Sequence, residues 1–338
     1  MADPTLSDLA AEAGVSRSTA GRAMSGHKSV RDDTRRRVQA AARRIGYEPN
    51  RIARSLRSRN SMFVGIIVPD IAHGFYGRTV KAAQDVLEAA GYQILVMNTD
   101  REPHREQAAL KTLLAHRVDG ILLASSGGVT ESPPVPTVFF DNLVAGAGEG
   151  NVARANKQGM DILVGHLVDA HGCERIAYLS GPPILTSGIE RLDGFRDAMG
   201  ARRLPVVPEH VVFGDEAWSP ESGTVAMRDL LALPERPEAV ITASDTIALG
   251  AIQAVRDRGL AVPDDIALVS FDDPFFGAFM EPQLTALRGD ERALGEHAAS
   301  LVLQALRTGS RERSVEVRIP VALTVRRSCG CASPGASH

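Results

Sequence analysis

Apolar positions recur every three to four residues through the first 46 residues and in continuous blocks of four to six from Met62 onward, so two structural grammars share one chain. In the first, Thr5 is a natural N-cap and Asp8, three positions on, completes a capping box that starts a helix at Leu6. Leu6, Leu9, Ala10 and Ala13 fall on one face, Gly14 ends the helix and Val15 can plug the gap to a second one. Ser16 caps that second helix. Ala20, Ala23 and Met24 form its inner face, while Arg17, Ser18 and Arg22 project outward. This pattern predicts a helix-turn-helix, whose second helix enters a major groove with its N-terminal residues against base edges. A generic helix pair with a solvated basic face would read similarly. A polar turn at 25–29 leads to a third helix, roughly Asp33 to Ile45, striped by Val38, Ala41 and Ala42 and stopped by Gly46. Beyond it Pro49 breaks the pattern and Asn50 can cap a short helix. There Arg51, Arg54 and Arg57 recur every third residue and Ile52, Ala53 and Leu56 form an apolar strip. Two turns are marginal alone, so that segment is expected to form only against a symmetry mate or DNA.

The second grammar alternates buried strands with helices. Strands are predicted at 63–68, 92–97, 120–124 and 137–140, and, after a helix near 157–170, at 175–179, 206–212, 239–242 and 266–270. Continuous apolar strands spaced by helices mean parallel sheets covered on both faces. Two such runs give the expected fold class: an all-α helix-turn-helix module followed by an α/β body of two doubly wound lobes, with a ligand cleft at the strand ends between them.

Composition sharpens this division. Residues 1–60 carry 13 Lys/Arg against 6 Asp/Glu, and the remainder carries 25 against 35, so only the small front module suits a polyanion. Met1-Ala-Asp-Pro opens no secretory signal, and no run approaches the roughly 20 apolar residues of a membrane span; no membrane partner is expected. Three cysteines, with Cys173 far from Cys329 and Cys331, make no disulfide framework and fit a reduced, cytoplasmic compartment. Cys329-Gly-Cys331 could offer two thiolates to a soft metal. With no histidines clustered beside it, residues 329–338 read instead as a frayed tail, and neither a metal site nor a cofactor is expected.

Particular motifs go further. They include Thr5-Leu-Ser-Asp-Leu-Ala10 with Ala13-Gly-Val-Ser16, Gly46-Tyr-Glu-Pro-Asn-Arg-Ile-Ala-Arg-Ser-Leu56, Gly65-Ile-Ile-Val-Pro-Asp70 and Arg117-Val-Asp-Gly-Ile-Leu122. Further along come Arg191-Leu-Asp-Gly-Phe195, Asp245-Thr-Ile-Ala-Leu-Gly250, Ser270-Phe-Asp-Asp273 and Arg326-Arg-Ser328. Through them nearly the whole chain resembles a LacI-type bacterial transcription regulator with a periplasmic-binding-protein-like body. The expected domains are a head at 1–48, a hinge at 49–60 and a body at 61–338. Within the body, lobes of about 61–158 with 291–319 and 159–290 with 320–328 precede the tail.

The resemblance implies that Arg17, Ser18 and Arg22 read base edges, which suits arginine's bidentate match to guanine. It puts Ser16, Thr19, Asn50 and Arg51 at phosphates, groups Ala53 with the DNA-contacting residues and makes Leu56 a minor-groove wedge, the alternative for Leu56 being burial in a helix pair. Gly21 replaces the serine usual in the recognition helix. In the body the resemblance implies an effector stacked on Phe75, Tyr76 and Trp218 and hydrogen-bonded by Asp141, Asn142, Arg191, Asp245 and Asp272. Aromatic faces ringed by carboxylates and an arginine suit a sugar or sugar derivative. Alternatively Phe75 is core, Asp245 caps its helix and Asp272 serves a turn. Ser244 stands where asparagine is common, Asn142 where arginine is frequent, and Gly289-Asp290 where Gln-Pro often follows Arg288, which shortens the polar side chains available to a ligand. The resemblance thus implies a repressor, not an enzyme, acting as a homodimer on near-palindromic operator DNA under a small-molecule effector. The competing class is a two-lobed transport-type binding protein, which should carry a secretion signal and no basic head. An enzyme is the weaker competitor, for the chain has no P-loop, no Gly-x-Ser-x-Gly elbow and no metal-spaced His/Glu set.

Overall fold

A computed structural model describes residues 4–25, 27–47, 60–181, 183–214, 218–309 and 315–332, and divides the chain into units of residues 1–61 and 62–338. Asn50, Arg51, Ala53 and Leu56 lie outside the described residues.

In the first unit three helices, α1 (Leu6–Glu12), α2 (Arg17–Met24) and α3 (Asp32–Ile45), enclose Leu9, Ala10, Ala20, Ala23, Val38 and Ala41. The capping box forms: Thr5 N–H donates to Asp8 Oδ2 at 2.8 Å, and Asp8 N–H to Thr5 Oγ1 at 3.3 Å. The Thr5 N–H and the Thr5 hydroxyl, which donates to the same Oδ2 at 2.7 Å, hold the Asp8 carboxyl below its usual range. Gly14 (φ 62°) and Gly46 (φ 69°) adopt the left-handed backbone that ends α1 and α3. Arg35 secures the loop between α2 and α3, donating to the carbonyls of His27 and Val30 at 3.2 Å each. Gly21 faces α1, where a methyl would meet Leu6 Cδ2 at 3.6 Å, an ordinary contact. Crowding therefore does not dictate the glycine.

The second unit holds two six-stranded sheets. The first lobe supplies β1 (Phe63–Val68), α4 (Gly74–Ala89), β2 (Gln93–Asn98), α5 (Pro103–Ala115), β3 (Gly120–Leu123), β4 (Thr137–Phe140) and β5 (Gly150–Arg154). The chain then builds α6 (Asn156–His171), β6 (Ile176–Ser180), α7 (Thr186–Ala201), β7 (Val211–Phe213), α8 (Pro220–Leu231), β8 (Ala239–Thr242), α9 (Asp245–Asp257), β9 (Ala267–Ser270) and β10 (Thr285–Arg288) of the second lobe. It returns to the first through α10 (Glu291–Thr308) and β11 (Val315–Ile319), and ends in the second with β12 (Ala322–Thr324). The sheet orders are β11-β5-β4-β3-β1-β2, all parallel, and β12-β10-β9-β8-β6-β7, with β12 alone antiparallel. Central strands such as β3, β4 and β8 are buried at every position, which is why they read as unbroken apolar runs.

Three expectations need correction. The strand expected at 206–212 is only Val211–Phe213, because Pro208–His210 forms a 3-10 turn ahead of it. Strands β5, β10, β11 and β12 were not foreseen. β5 has only two apolar residues, since Asn151 and Arg154 are buried polar groups, and β11 and β12 are sheet edges without a continuous apolar run. The tail is not frayed at its start, for Cys329 is buried and Cys331 half-buried against the second lobe's core.

Candidate functional site

Every strand that ends at the interlobe cleft contributes there, as doubly wound sheets demand. In the first lobe His73 follows β1, Ser126 follows β3, Asp141 and Asn142 follow β4, and Arg154 ends β5. From the second lobe, Ser187 opens α7 after β6, Ser244 follows β8 and Asp272 follows β9. Together with Phe75, Tyr76, Arg191 and Trp218 they line a cleft partly open to solvent.

The cleft floor is a chain of alternating charges. Arg154 pairs with Asp272 across the lobes and reaches Asp141 at 3.6 Å, while Arg191 lies 3.9 Å from the other oxygen of Asp272. Both guanidinium groups sit over aromatic faces, Arg154 at 4.4 Å from the Phe75 centroid and Arg191 at 3.8 Å from Phe271. Burial opposes the charge of Asp272, yet Arg154, Arg191 and His73 hold its carboxyl below the usual range. Arg191 is less basic than usual, through burial first and the charge of Arg154 second. Tyr76 donates its hydroxyl to Asp141 at 2.8 Å, and burial with that carboxylate pushes its pKa well up. Two carboxylates thus balance two arginines. The buried Nε of Arg154 and Nδ1 of His73 have no hydrogen-bond partner among the described residues.

Asn142 and Asp245 are engaged differently from the rest. Asn142 Oδ1 accepts from the backbone N–H of Ser187 at 3.2 Å and its hydroxyl at 2.7 Å, so one lobe caps a helix of the other whose own N-cap, Leu185, offers no side-chain bond. Asp245 is not among the cleft-lining residues. Its Oδ1 accepts from Thr246 N–H at 2.8 Å and meets His73 Nε2 at 3.1 Å, bridging the lobes. Phe75 is both core and lining. Trp218, at φ 39°, covers Gly181 so closely that a Cβ there would lie 2.2 Å from the indole. His73, Ser126, Arg154 and Ser187 escaped sequence reasoning. Their one shared signal is position, each within seven residues of a strand's C-terminal end.

Burial lowers the basicity of His73, but its hydrogen bond to Asp245 and the charges of Asp245 and Asp272 outweigh this and raise its pKa above 6.5. A raised histidine stabilises the fold most fully below the unfolded value of about 6.5, and the contribution fades as pH climbs through the higher folded value. The wild-type body is therefore expected to lose stability between neutral and mildly alkaline pH. His73→Gln should flatten that slope in thermal melts, and an unchanged slope would discount the bridge.

In the head, Ser16, Arg17, Ser18 and Arg22 are exposed and Thr19 is half-exposed along α2. Ser16 Oγ accepts from Thr19 N–H at 3.1 Å and lies 2.9 Å from Ser18 Oγ, and Arg22 Nε reaches the Ser18 carbonyl at 3.3 Å. A serine-capped helix with two exposed arginines can present donors to base edges and phosphates alike.

A helix-turn-helix head ahead of a two-lobed body with a polar cleft defines a ligand-responsive DNA-binding regulator. The comparisons agree with this class over the full length. Residues 5–50 match the bacterial regulatory proteins of the lacI family, and residues 164–329 match the periplasmic binding protein-like domain. The chain is 32% identical to catabolite control protein A of Priestia megaterium, over 96% of this chain and 98% of that protein. It is 33% identical to the ribose operon repressor of Escherichia coli strain K12, over 88% and 92%. The lac repressor dimer bound to operator and the anti-inducer ONPF superposes with a TM-score of 0.84 at 27% identity, covering 97% of this chain and 99% of that one. The chain belongs to the lacI family of transcription regulators. It is a DNA-binding repressor with a ligand-binding domain, neither an enzyme nor a transport-type binding protein.

Proposed function

We propose that this repressor binds a near-palindromic operator as a homodimer, and that a neutral polyhydroxylated molecule, a sugar or sugar derivative, occupies the cleft and controls that binding. The charge balance of the cleft carries the ligand class. Arg154 and Arg191 are matched by Asp141 and Asp272, and Arg101 of the lining is paired with Asp70 at 3.3 Å, so no arginine is left unpaired to favour a phosphate or a carboxylate, while acceptors and donors alternate around apolar faces. Phe75, Tyr76 and Trp218 stack the ring, Asp141, Asp272 and Arg191 take its hydroxyls, and Asn142 and Asp245 act by joining the lobes. Arg154 joins the ligand set. An effector that prefers one degree of lobe closure shifts operator affinity by its differential affinity, typically about 1–3 kcal/mol.

A thermal-shift screen of neutral sugars, sugar phosphates and nucleobases tests the ligand class, and a neutral sugar is expected to give the largest shift. Trp218→Ala should then weaken that ligand in calorimetry by about tenfold or more, the order of one aromatic contact at about 1.4 kcal/mol per decade. Retained affinity, or a response confined to anionic ligands, contradicts the assignment.

On the DNA side, Ser16, Arg17, Ser18, Thr19 and Arg22 from α2 join Asn50, Arg51, Ala53 and Leu56 of the hinge segment. Arg22→Ala should reduce discrimination between the operator and a single-base variant by about 1–3 kcal/mol. Loss of affinity without loss of discrimination would make Arg22 a phosphate contact.

A further inference from the structure

We infer that the second lobe carries a metal site built from His166, His171, Cys329 and Cys331, of the Cys2His2 type that takes zinc or another borderline-soft divalent ion. One ligand atom from each of the four residues lies within 4.8 Å of every other. Cys331 Sγ is 3.3 Å from His171 Nε2 and 3.9 Å from His166 Nε2. Zinc bond lengths of about 2.0–2.3 Å in a tetrahedron set ligand–ligand separations of roughly 3.3–3.8 Å, so side-chain shifts of about an ångström or less close the site.

Four local features make these residues a constructed group. Gly330, at φ 98°, forms the turn that brings both thiols to one side of the chain, a conformation costly for any residue with a Cβ. Ser328, just ahead, is locked in the sheet: its hydroxyl donates to the Leu268 carbonyl at 2.6 Å and accepts from Thr285 N–H at 2.8 Å. The Thr285 hydroxyl in turn lies 3.1 Å from Cys329 Sγ and can donate to it, the outer hydrogen bond that metal-bound thiolates commonly receive. Both histidines come from α6, His171 being its last residue, with ring centroids 5.0 Å apart.

The site is separate from the cleft. Asn156, at the other end of α6, bonds Arg191 of the cleft, and fifteen helical residues put His171 about 22 Å away. A bound ion would tie the chain beyond β12 to the end of α6, closing a loop of nearly the whole second lobe and stabilising it by linkage to metal binding. The competing account is an ordinary thiol–imidazole hydrogen bond between Cys331 and His171.

Cobalt(II) added to the chelator-treated full-length protein distinguishes them. One ion per chain should bind with intense visible bands and thiolate-to-metal charge transfer in the near ultraviolet, and zinc should bleach both. Zinc should also shield Cys329 and Cys331 from a thiol reagent until a chelator is added. Cys331→Ser and His171→Gln should each weaken cobalt binding by more than about 100-fold, beyond what loss of an outer hydrogen bond costs, while Cys173→Ser leaves it unchanged. Weak octahedral spectra without charge transfer, or full binding retained in both ligand variants, would overturn the assignment.

Discussion

Replacing Asp272 by asparagine is expected to lower the unfolding free energy of the two-lobed body by about 3–5 kcal/mol, the usual cost of stranding buried charges. The side chain is 13% exposed, and its partners Arg154 and Arg191 are 7% and 2% exposed, so water cannot replace the lost carboxylate. Asparagine keeps the volume but removes the charge, leaving Asp141 as the one carboxylate beside two buried guanidinium groups. The pH dependence follows with a fixed sign. A carboxyl held below its unfolded value of about 3.9 contributes fully above that value and loses its contribution as pH falls through the lower folded one. Wild-type protein should therefore lose stability in acid more steeply than the variant. Chemical denaturation across this range measures both effects. A loss below about 1 kcal/mol at neutral pH would mean that desolvation already cancels the pairing. Arg154→Met in the Asp272→Asn background should recover part of the loss, since it removes one of the two cations that then share Asp141.

Most of the fold was legible because the elements that carry it repeat strong local signals. Thr5 with Asp8, Ser16, and the glycines at 14 and 46 announce the ends of helices through the same backbone groups they satisfy in the structure. The buried parallel strands announce themselves because both faces need apolar side chains. Where burial is polar, the signal fails. β5 hides within Gly-Asn-Val-Ala-Arg because Arg154 is neutralised by Asp141 on the neighbouring strand's end and by Asp272, the latter 118 positions away. Resemblance brought Asp245 into the ligand set, but only geometry turns it toward His73, 172 positions away. The same distance problem conceals the thiol–histidine cluster. Cys331 and His171 are separated by 160 residues, so the C-terminal cysteines have no visible histidines beside them in the sequence.

The second large effect is expected at a position with no side chain. A Cβ on Gly250 would lie 1.7 Å from the Pro220 carbonyl oxygen and 2.7 Å from Thr224 N, and one on Gly223 would lie 2.2 Å from the Ile247 carbonyl oxygen. Helices α8 and α9 thus cross backbone to backbone, and Thr224 Oγ1 bonds the carbonyls of both Pro220 and Gly250 at 2.9 and 3.2 Å. No rotamer change can relieve such an overlap, so Gly250→Ala should cost about 3 kcal/mol, the upper end for overpacking. The damage should reach the cleft. Trp218 immediately precedes α8, Ser244 caps α9, and Thr246 Oγ1 donates to the Trp218 carbonyl at 2.6 Å, so parting the helices displaces cleft-lining residues. Gly200 supplies the control. It is an exposed helical glycine with no atom near its would-be Cβ, and Gly200→Ala should stabilise the protein by up to about 1 kcal/mol through helix preference alone. The same methyl group should therefore act with opposite sign at the two sites. Equal shifts in melting temperature would mean that the α8–α9 crossing can open without penalty, and that the position of Trp218 is set elsewhere.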